Sequence, residues 1–330
     1  MKICKRTIAL VTAALVAITV LSSCKKDKTD VENGDSYEKK HSVVCSAFPQ
    51  YDWVRVLLGD RVSEYDIILL SGKGADMHSY QPTAEDMKDI AAADMFIYVG
   101  GVSEKWVDDV RKSVGAAKTV FVSMTEVLGS AVREEETALE AEHDGHDHGD
   151  GEPEYDEHVW LSLKNAEKIT AYIATELAKI DPDGKATYEN NLKEYLLQLA
   201  ALDAEYKKAV ENGKRDTVIF ADRFPFLYMM KDYGINYHAA FTGCSAESEA
   251  SFKTITALSR AADEIKTDTV LVTETSDGAI ADAVISGMSE KGCQKTVMNS
   301  MQSVKTADAA GETYLGVMKA NLQALKKALG

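Results

Sequence analysis

The chain is short of cysteine, of positive charge and of long apolar runs, and each shortage excludes a class of protein. Five cysteines in 330 residues cannot staple a disulfide scaffold. Lys plus Arg number 37 against 53 Asp plus Glu, a formal charge of −16. A field of that sign repels a phosphate backbone, so no nucleic acid is expected as a partner. The apolar stretch Thr7 to Leu21 is shorter than the roughly 20 residues a membrane-spanning helix needs. Nucleotide and nucleophile signatures are missing too: there is no Gly-x-Gly-x-x-Gly, no Gly-x-Ser-x-Gly and no Gly-Lys-Ser/Thr phosphate cradle. What is present is an ordinary globular mixture, 45% apolar and 27% charged, long enough for two domains.

The N-terminus reads as a targeting segment. Lys2, Lys5 and Arg6 precede the short apolar run, and small residues follow it, which is the layout of a secretory signal. Leu21-Ser22-Ser23-Cys24 resembles the bacterial lipobox. That resemblance implies a lipoprotein signal peptide over residues 1–23, cleavage before Cys24 and a lipid anchor on its sulfur, on the extracytoplasmic side of the cell membrane. Residues 24–41 are polar without an apolar period and are expected to form a flexible tether. Cys45, Cys244 and Cys293 would then be thiols outside the cytosol. One oxidised pair and three buried free thiols both stand as readings.

Beyond the tether, strand-like apolar runs alternate with helical patterns. Val43 to Phe48, Tyr65 to Leu70, Met95 to Val99 and Thr119 to Ser123 read as strands. The same alternation returns after Gly213, with strands at Thr217 to Ala221, Tyr237 to Phe241, Thr269 to Thr273 and Thr296 to Asn299. Strand and helix in turn argue for parallel sheets. Between the two series, Lys185 to Asn212 carries Tyr188, Leu192, Tyr195, Leu199, Leu202 and Tyr206 on one stripe, the mark of one long helix. The fold class is therefore α/β, with two similar lobes joined by that helix. Its lobes are expected at 42–184 and 213–330, with 185–212 linking them. A disordered, acidic, His-rich surface loop at 134–157 is expected to interrupt the first lobe.

Two histidines are placed for chemistry. His78, in Gly74-Ala-Asp-Met-His-Ser-Tyr-Gln-Pro-Thr83, follows a strand and precedes a helix capped by Thr83. His158, in Asp156-Glu-His-Val-Trp-Leu-Ser, also sits in a loop just before a helix. Ligands of α/β sheets bind beyond the carboxyl ends of strands, and neutral imidazoles bind divalent metals.

These stretches, with YDWVRVLLGD and DEHVWLSLKNAEKI, resemble the zinc- and manganese-binding solute-receptor lipoproteins of bacterial ABC importers. The order also matches: lipobox, first His, acidic His-rich loop, second His, long helix, second lobe. The resemblance implies a metal cleft between the lobes, with Zn2+ (or Mn2+) as the transported ligand held by His78 and His158. It further implies an ABC permease and its ATPase as partners, and a monomer with no enzymatic activity.

Departures from the family pattern leave the rest of the site open. The family's third ligand precedes an aromatic-rich helix as H-x-x-F-x-Y. Aligning Phe220-Ala-Asp-Arg-Phe-Pro-Phe226 on Phe224 puts Ala221 there, with Asp222 beside it. Near the last strand, Asn299-Ser-Met-Gln302 offers no strong ligand. Asp222 and Glu274 are then the carboxylates expected to complete the shell, with Glu247 and Glu249 next. His238 reads as a packed strand residue, and Asp222-Arg223 also reads as an ion pair bracing its loop. His143, His146 and His148 lie among carboxylates in the acidic loop and are expected to capture metal loosely. Two other functions fit parts of the pattern: an adhesin-like surface lipoprotein with a degenerate site, and a lipid-anchored metallohydrolase. The absence of His-Glu-x-x-His counts against the second.

Overall fold

The computed structural model describes residues 40–74, 76–114, 118–136, 155–245 and 249–330. The segment read as a signal peptide, Cys24, most of the segment read as a tether, Glu247 and the three loop histidines His143, His146 and His148 lie outside the described residues. No described helix is long and apolar enough to cross a membrane.

The first sheet is built from β1 (His41–Cys45), β2 (Tyr65–Leu69), β3 (Met95–Tyr98) and β4 (Val120–Ser123). The second contains β5 (Thr217–Phe224), β6 (Asn236–Thr242), β7 (Thr269–Thr273) and β8 (Gln294–Met298). Spatial orders are β2-β1-β3-β4 and β6-β5-β7-β8, so the two sheets repeat one topology. Every strand pair is parallel. Central strands are buried on both faces, as the unbroken apolar runs MFIY and TVLVT require. All eight strands overlap the apolar runs, but β1 ends at Cys45 with Phe48 already helical, and β5 continues through Asp222 and Arg223 to Phe224, past a register shift against β6.

The helices of the first half are α1 (Phe48–Leu58), α2 (Ala84–Ala92), α3 (Trp106–Val114), α4 (Met124–Leu128) and α5 (Leu163–Ile180). Thr83 caps α2 reciprocally: its hydroxyl accepts from the Asp86 amide, and Asp86 accepts from the Thr83 amide. The long helix α6 spans Lys185–Glu211. Its apolar stripe is buried from Tyr188 to Ala209. After it come α7 (Leu227–Tyr233), α8 (Phe252–Glu264), α9 (Ala279–Gly287), α10 (Thr306–Ala309) and α11 (Tyr314–Leu329). The short helices α4 and α10 carry too few turns to show a period.

One core cluster runs through both halves, from Val43 and Trp53 to Leu271 and Met298. The last helix ties it together. Tyr314 donates from its amide to Asp52 in α1 and from its hydroxyl to the Trp160 carbonyl. Its ring meets Trp53 edge-on at 5.1 Å, and Tyr206 of α6 donates to the Met318 carbonyl. An aromatic pair of this kind adds about 1 kcal/mol beyond its burial.

Candidate metal centre

The chemistry-bearing side chains gather beyond the carboxyl ends of β2, β3, β6 and β8, with Arg223 supplied from the last residues of β5. His78 lies in a 3₁₀ turn, Met77–Ser79, after β2. Asp76 holds that turn by accepting from the His78 amide at 3.0 Å. His158 is wholly buried just ahead of α5, whose N-terminus is capped by Ser162. The two Nε2 atoms are 3.1 Å apart.

The other ring nitrogens decide what those Nε2 atoms can do. His158 Nδ1 is 3.0 Å from Asp156 Oδ1, which also accepts from the His158 amide. A carboxylate only accepts, so the proton of His158 sits on Nδ1. His78 Nδ1 is 2.7 Å from Ser103 Oγ and 3.6 Å from Glu157 Oε2, whose negative charge favours the proton there. Both Nε2 lone pairs are therefore free, and they converge. Into them points the amide of Gln302: its Nε2 lies 2.8 Å from His78 Nε2 and 2.5 Å from His158 Nε2. An amide nitrogen only donates, so Gln302 supplies the positive end that two imidazoles share. Burial first, and then the neighbouring His158, push the His78 imidazole down to about 3. Its lone pair is thus available at neutral pH.

Gln302 is delivered by a strained loop. Met301 before it is a buried non-glycine residue at φ +64°, a conformation costing roughly 1–2 kcal/mol. Asn299 Oδ1 accepts from the Met301 amide, Asn321 clamps Asn299 at both backbone groups, and Trp160 Nε1 donates to the Ser300 carbonyl. The Ser300 hydroxyl stands 2.7 Å from Glu274 Oε1 and 3.0 Å from Gln302 Oε1. Residue type alone gave Gln302 no prominence; its position depends on these bonds.

The proposed carboxylates are engaged elsewhere. Asp222 braces β5 against β7, accepting from the Thr273 amide and hydroxyl and from the Arg223 amide. Glu274 accepts from the Ser300 amide and hydroxyl. Ala221 is wholly buried in the core of the second lobe. The family spacing H-x-x-F-x-Y also reads onto Arg223-Phe-Pro-Phe226-Leu-Tyr228, and it is Arg223 that reaches the cleft. Its guanidinium pairs with Asp76 Oδ2 at 2.9 Å, not with Asp222. Burial alone would raise Asp76; the His78 amide and Arg223 overcome it and hold the carboxyl below the usual range. Glu249 is exposed and His238 half-buried within β6.

Cys244, read as one of three spare thiols, joins the site. Its sulfur and ring nitrogens of His78 and His158 all lie within 4.8 Å of one another. Cys45, Cys244 and Cys293 are free thiols. A cavity of about 510 Å³ opens onto His78, Glu157, Arg223 and Cys244. Both ends of the acidic loop are held rather than loose. Asp156 and Glu157 are buried, Glu134 bridges Tyr155, and Glu135 accepts from the Cys244 amide. Close packing here demands glycine at two places. A Cβ on Gly243 would stand 3.0 Å from His158 Cε1 and 2.8 Å from the Phe224 carbonyl. One on Gly101, at φ +108°, would meet Glu157 Oε1 at 2.5 Å.

Two all-parallel lobes joined by one long helix, with paired imidazoles beyond the strand ends, define the bilobed solute-binding architecture. The profile described as "ZnuA: Zinc-uptake complex component A periplasmic" matches residues 43–328, and the chain belongs to that family. It is 31% identical over 311 residues to the high-affinity zinc uptake system protein ZnuA of Bacillus subtilis, covering 94% of each chain. It is 29% identical over 325 residues to the zinc-binding lipoprotein AdcA of Streptococcus pneumoniae, covering 98% of this chain but 61% of that one. The crystal structure of the Zn(II)-bound ZnuA-like domain of that AdcA superposes with a TM-score of 0.68 at 27% identity, over 88% of this chain and 99% of the domain. These relatives are named for zinc uptake and zinc binding, not for an enzymatic reaction.

Proposed function

We propose that this chain is the extracytoplasmic receptor of an ABC importer, which captures zinc and delivers it to a membrane permease powered by its ATPase. The observation that carries this reading is the pair of Nε2 acceptors converging on one donor. Zinc takes imidazole nitrogen at about 2.0–2.1 Å, usually in a four-coordinate tetrahedron, which sets two nitrogens roughly 3.4 Å apart. The observed 3.1 Å is close to that spacing. Entry of the cation exchanges two amide N–H hydrogen bonds for two coordinate bonds, and Gln302 must turn to admit it. His78 and His158 are the main ligands. Asp156, Ser103 and Glu157 hold the rings in the right tautomer from behind, the outer-shell arrangement that raises ligand basicity. Imidazole donors suit zinc better than manganese, which prefers oxygen. The zinc-named relatives support the same choice.

In this reading Cys24 carries the lipid that tethers the receptor to the membrane. The loop histidines His143, His146 and His148 capture zinc loosely. The permease distinguishes loaded from empty receptor by whatever differs between the two states. Elemental analysis of the protein purified from its own host without added metal tests the proposal. Zinc near one equivalent per chain is expected. Manganese or iron as the bound metal, or none, would overturn it.

A further inference from the structure

We infer that Cys244 is a ligand of the captured cation, so that the site is a thiolate–bis-imidazole centre with Gln302 as its fourth member. This deepens the zinc-receptor reading and rests on it. Cys244 sits in the turn that follows β6, beside Gly243, whose backbone crosses the His158 ring at close range. Among the described residues, the three side chains that bring metal-ligating atoms into one group are His78, His158 and Cys244. Zinc with sulfur at about 2.3 Å and nitrogen at about 2.0 Å sets its ligand atoms roughly 3.3–3.6 Å apart. The group already lies within 4.8 Å, so a contraction on the order of 1 Å completes the coordination.

A second observation points to a cation at this place. Glu157 Oε2 is buried on the wall of the same cavity without a hydrogen-bond partner, 3.6 Å from His78 Nδ1. Its charge is compensated when the His78 ring carries positive charge, as it does when Nε2 coordinates a metal. On ligation the thiol loses one proton to solvent, the sulfur keeps the electron pair it shares with the metal, and no electron is transferred. A thiolate selects softer cations. It would therefore favour zinc over manganese beyond what two imidazoles and an amide achieve.

Cobalt(II) titration of the purified, reduced full chain tests the assignment, because a thiolate bound to cobalt has an intense near-ultraviolet charge-transfer band. The band should appear with one equivalent of metal in the wild-type protein. It should vanish in Cys244→Ser while the visible d–d bands persist. Zinc affinity of that variant should fall at least as much as the roughly 10–100-fold that loss of an outer-shell partner costs. Visible d–d bands without the charge-transfer band in the wild-type protein would overturn the cysteine ligand and leave the imidazole site standing. Failure of the wild-type chain to bind either cobalt or zinc would overturn both. The wild-type spectrum decides the question even if the variant does not fold.

Discussion

His78 and His158 are separated by 80 residues in the chain and by 3.1 Å at their Nε2 atoms. One follows a strand of the first sheet and the other lies just ahead of α5. Each has its remaining nitrogen tied to an acceptor that leaves Nε2 unprotonated. Two lone pairs aimed at one point repel unless something positive lies between them. Here the Gln302 amide fills that place, and the chemistry of the site follows from how readily a cation replaces it.

Replacing Gln302 by glutamate should strengthen zinc binding. A carboxylate oxygen is an anionic ligand where the amide is neutral, and its charge adds a Coulombic attraction in a site largely shielded from solvent. We expect a gain of about tenfold or more at neutral pH, an increment of 1.4 kcal/mol per decade, measured by competition with a chelator. An unchanged or weaker affinity would mean that residue 302 does not meet the metal.

The Asp156 carboxylate should matter without touching zinc. Asp156→Ala removes the acceptor that holds His158 Nδ1 and frees the ring to turn. A loss of about 10–100-fold in zinc affinity is expected. Asp156→Asn, which keeps an acceptor oxygen but not the charge, should lose less. Equal losses in the two variants would assign the effect to charge alone.

Stability should respond to pH through Asp52 at the junction of α1 and α11. Burial pushes its carboxyl up to about 6, against the Tyr314 amide and Arg55, which both pull it down. The folded chain therefore holds this proton more tightly than the unfolded chain, whose carboxyl titrates near 3.8. The stability from this group is complete below that value and is lost as pH rises through about 6. At pH 8 the cost is up to about 3 kcal/mol. Asp52→Asn removes it, so the variant should melt higher than wild type at pH 8 and show no gain at pH 4. Thermal melts at the two pH values check this, and a gain of equal size at both would refute it.

Much of the architecture could be read from apolar periodicity. Parallel strands buried on both faces leave unbroken apolar runs, and α6 leaves a long stripe; both patterns survive without tertiary information. His78 and His158 stood out because strand–loop–capped-helix grammar places them beyond strand ends. The remainder of the site had no such grammar. Asp222 and Glu274 have the residue type of a ligand, but backbone amides and hydroxyls of Thr273 and Ser300 claim their oxygens. Gln302 is a poor ligand by type, and a left-handed Met301 clamped by Asn299, Asn321 and Trp160 sets its place. Arg223 pairs across the cleft with Asp76 rather than with its neighbour Asp222, whose oxygens are taken by Thr273 and the Arg223 amide.

Calorimetric titration of zinc into the metal-free protein, beside His78→Ala and His158→Ala, measures the central claim most directly. Capture by the two imidazoles predicts one equivalent bound more tightly than micromolar in the wild-type chain, and a loss of at least about 100-fold in each variant, the cost expected when a ligand rather than its outer-shell partner is removed. Wild-type binding no tighter than micromolar, or variants that bind as well as wild type, would contradict it.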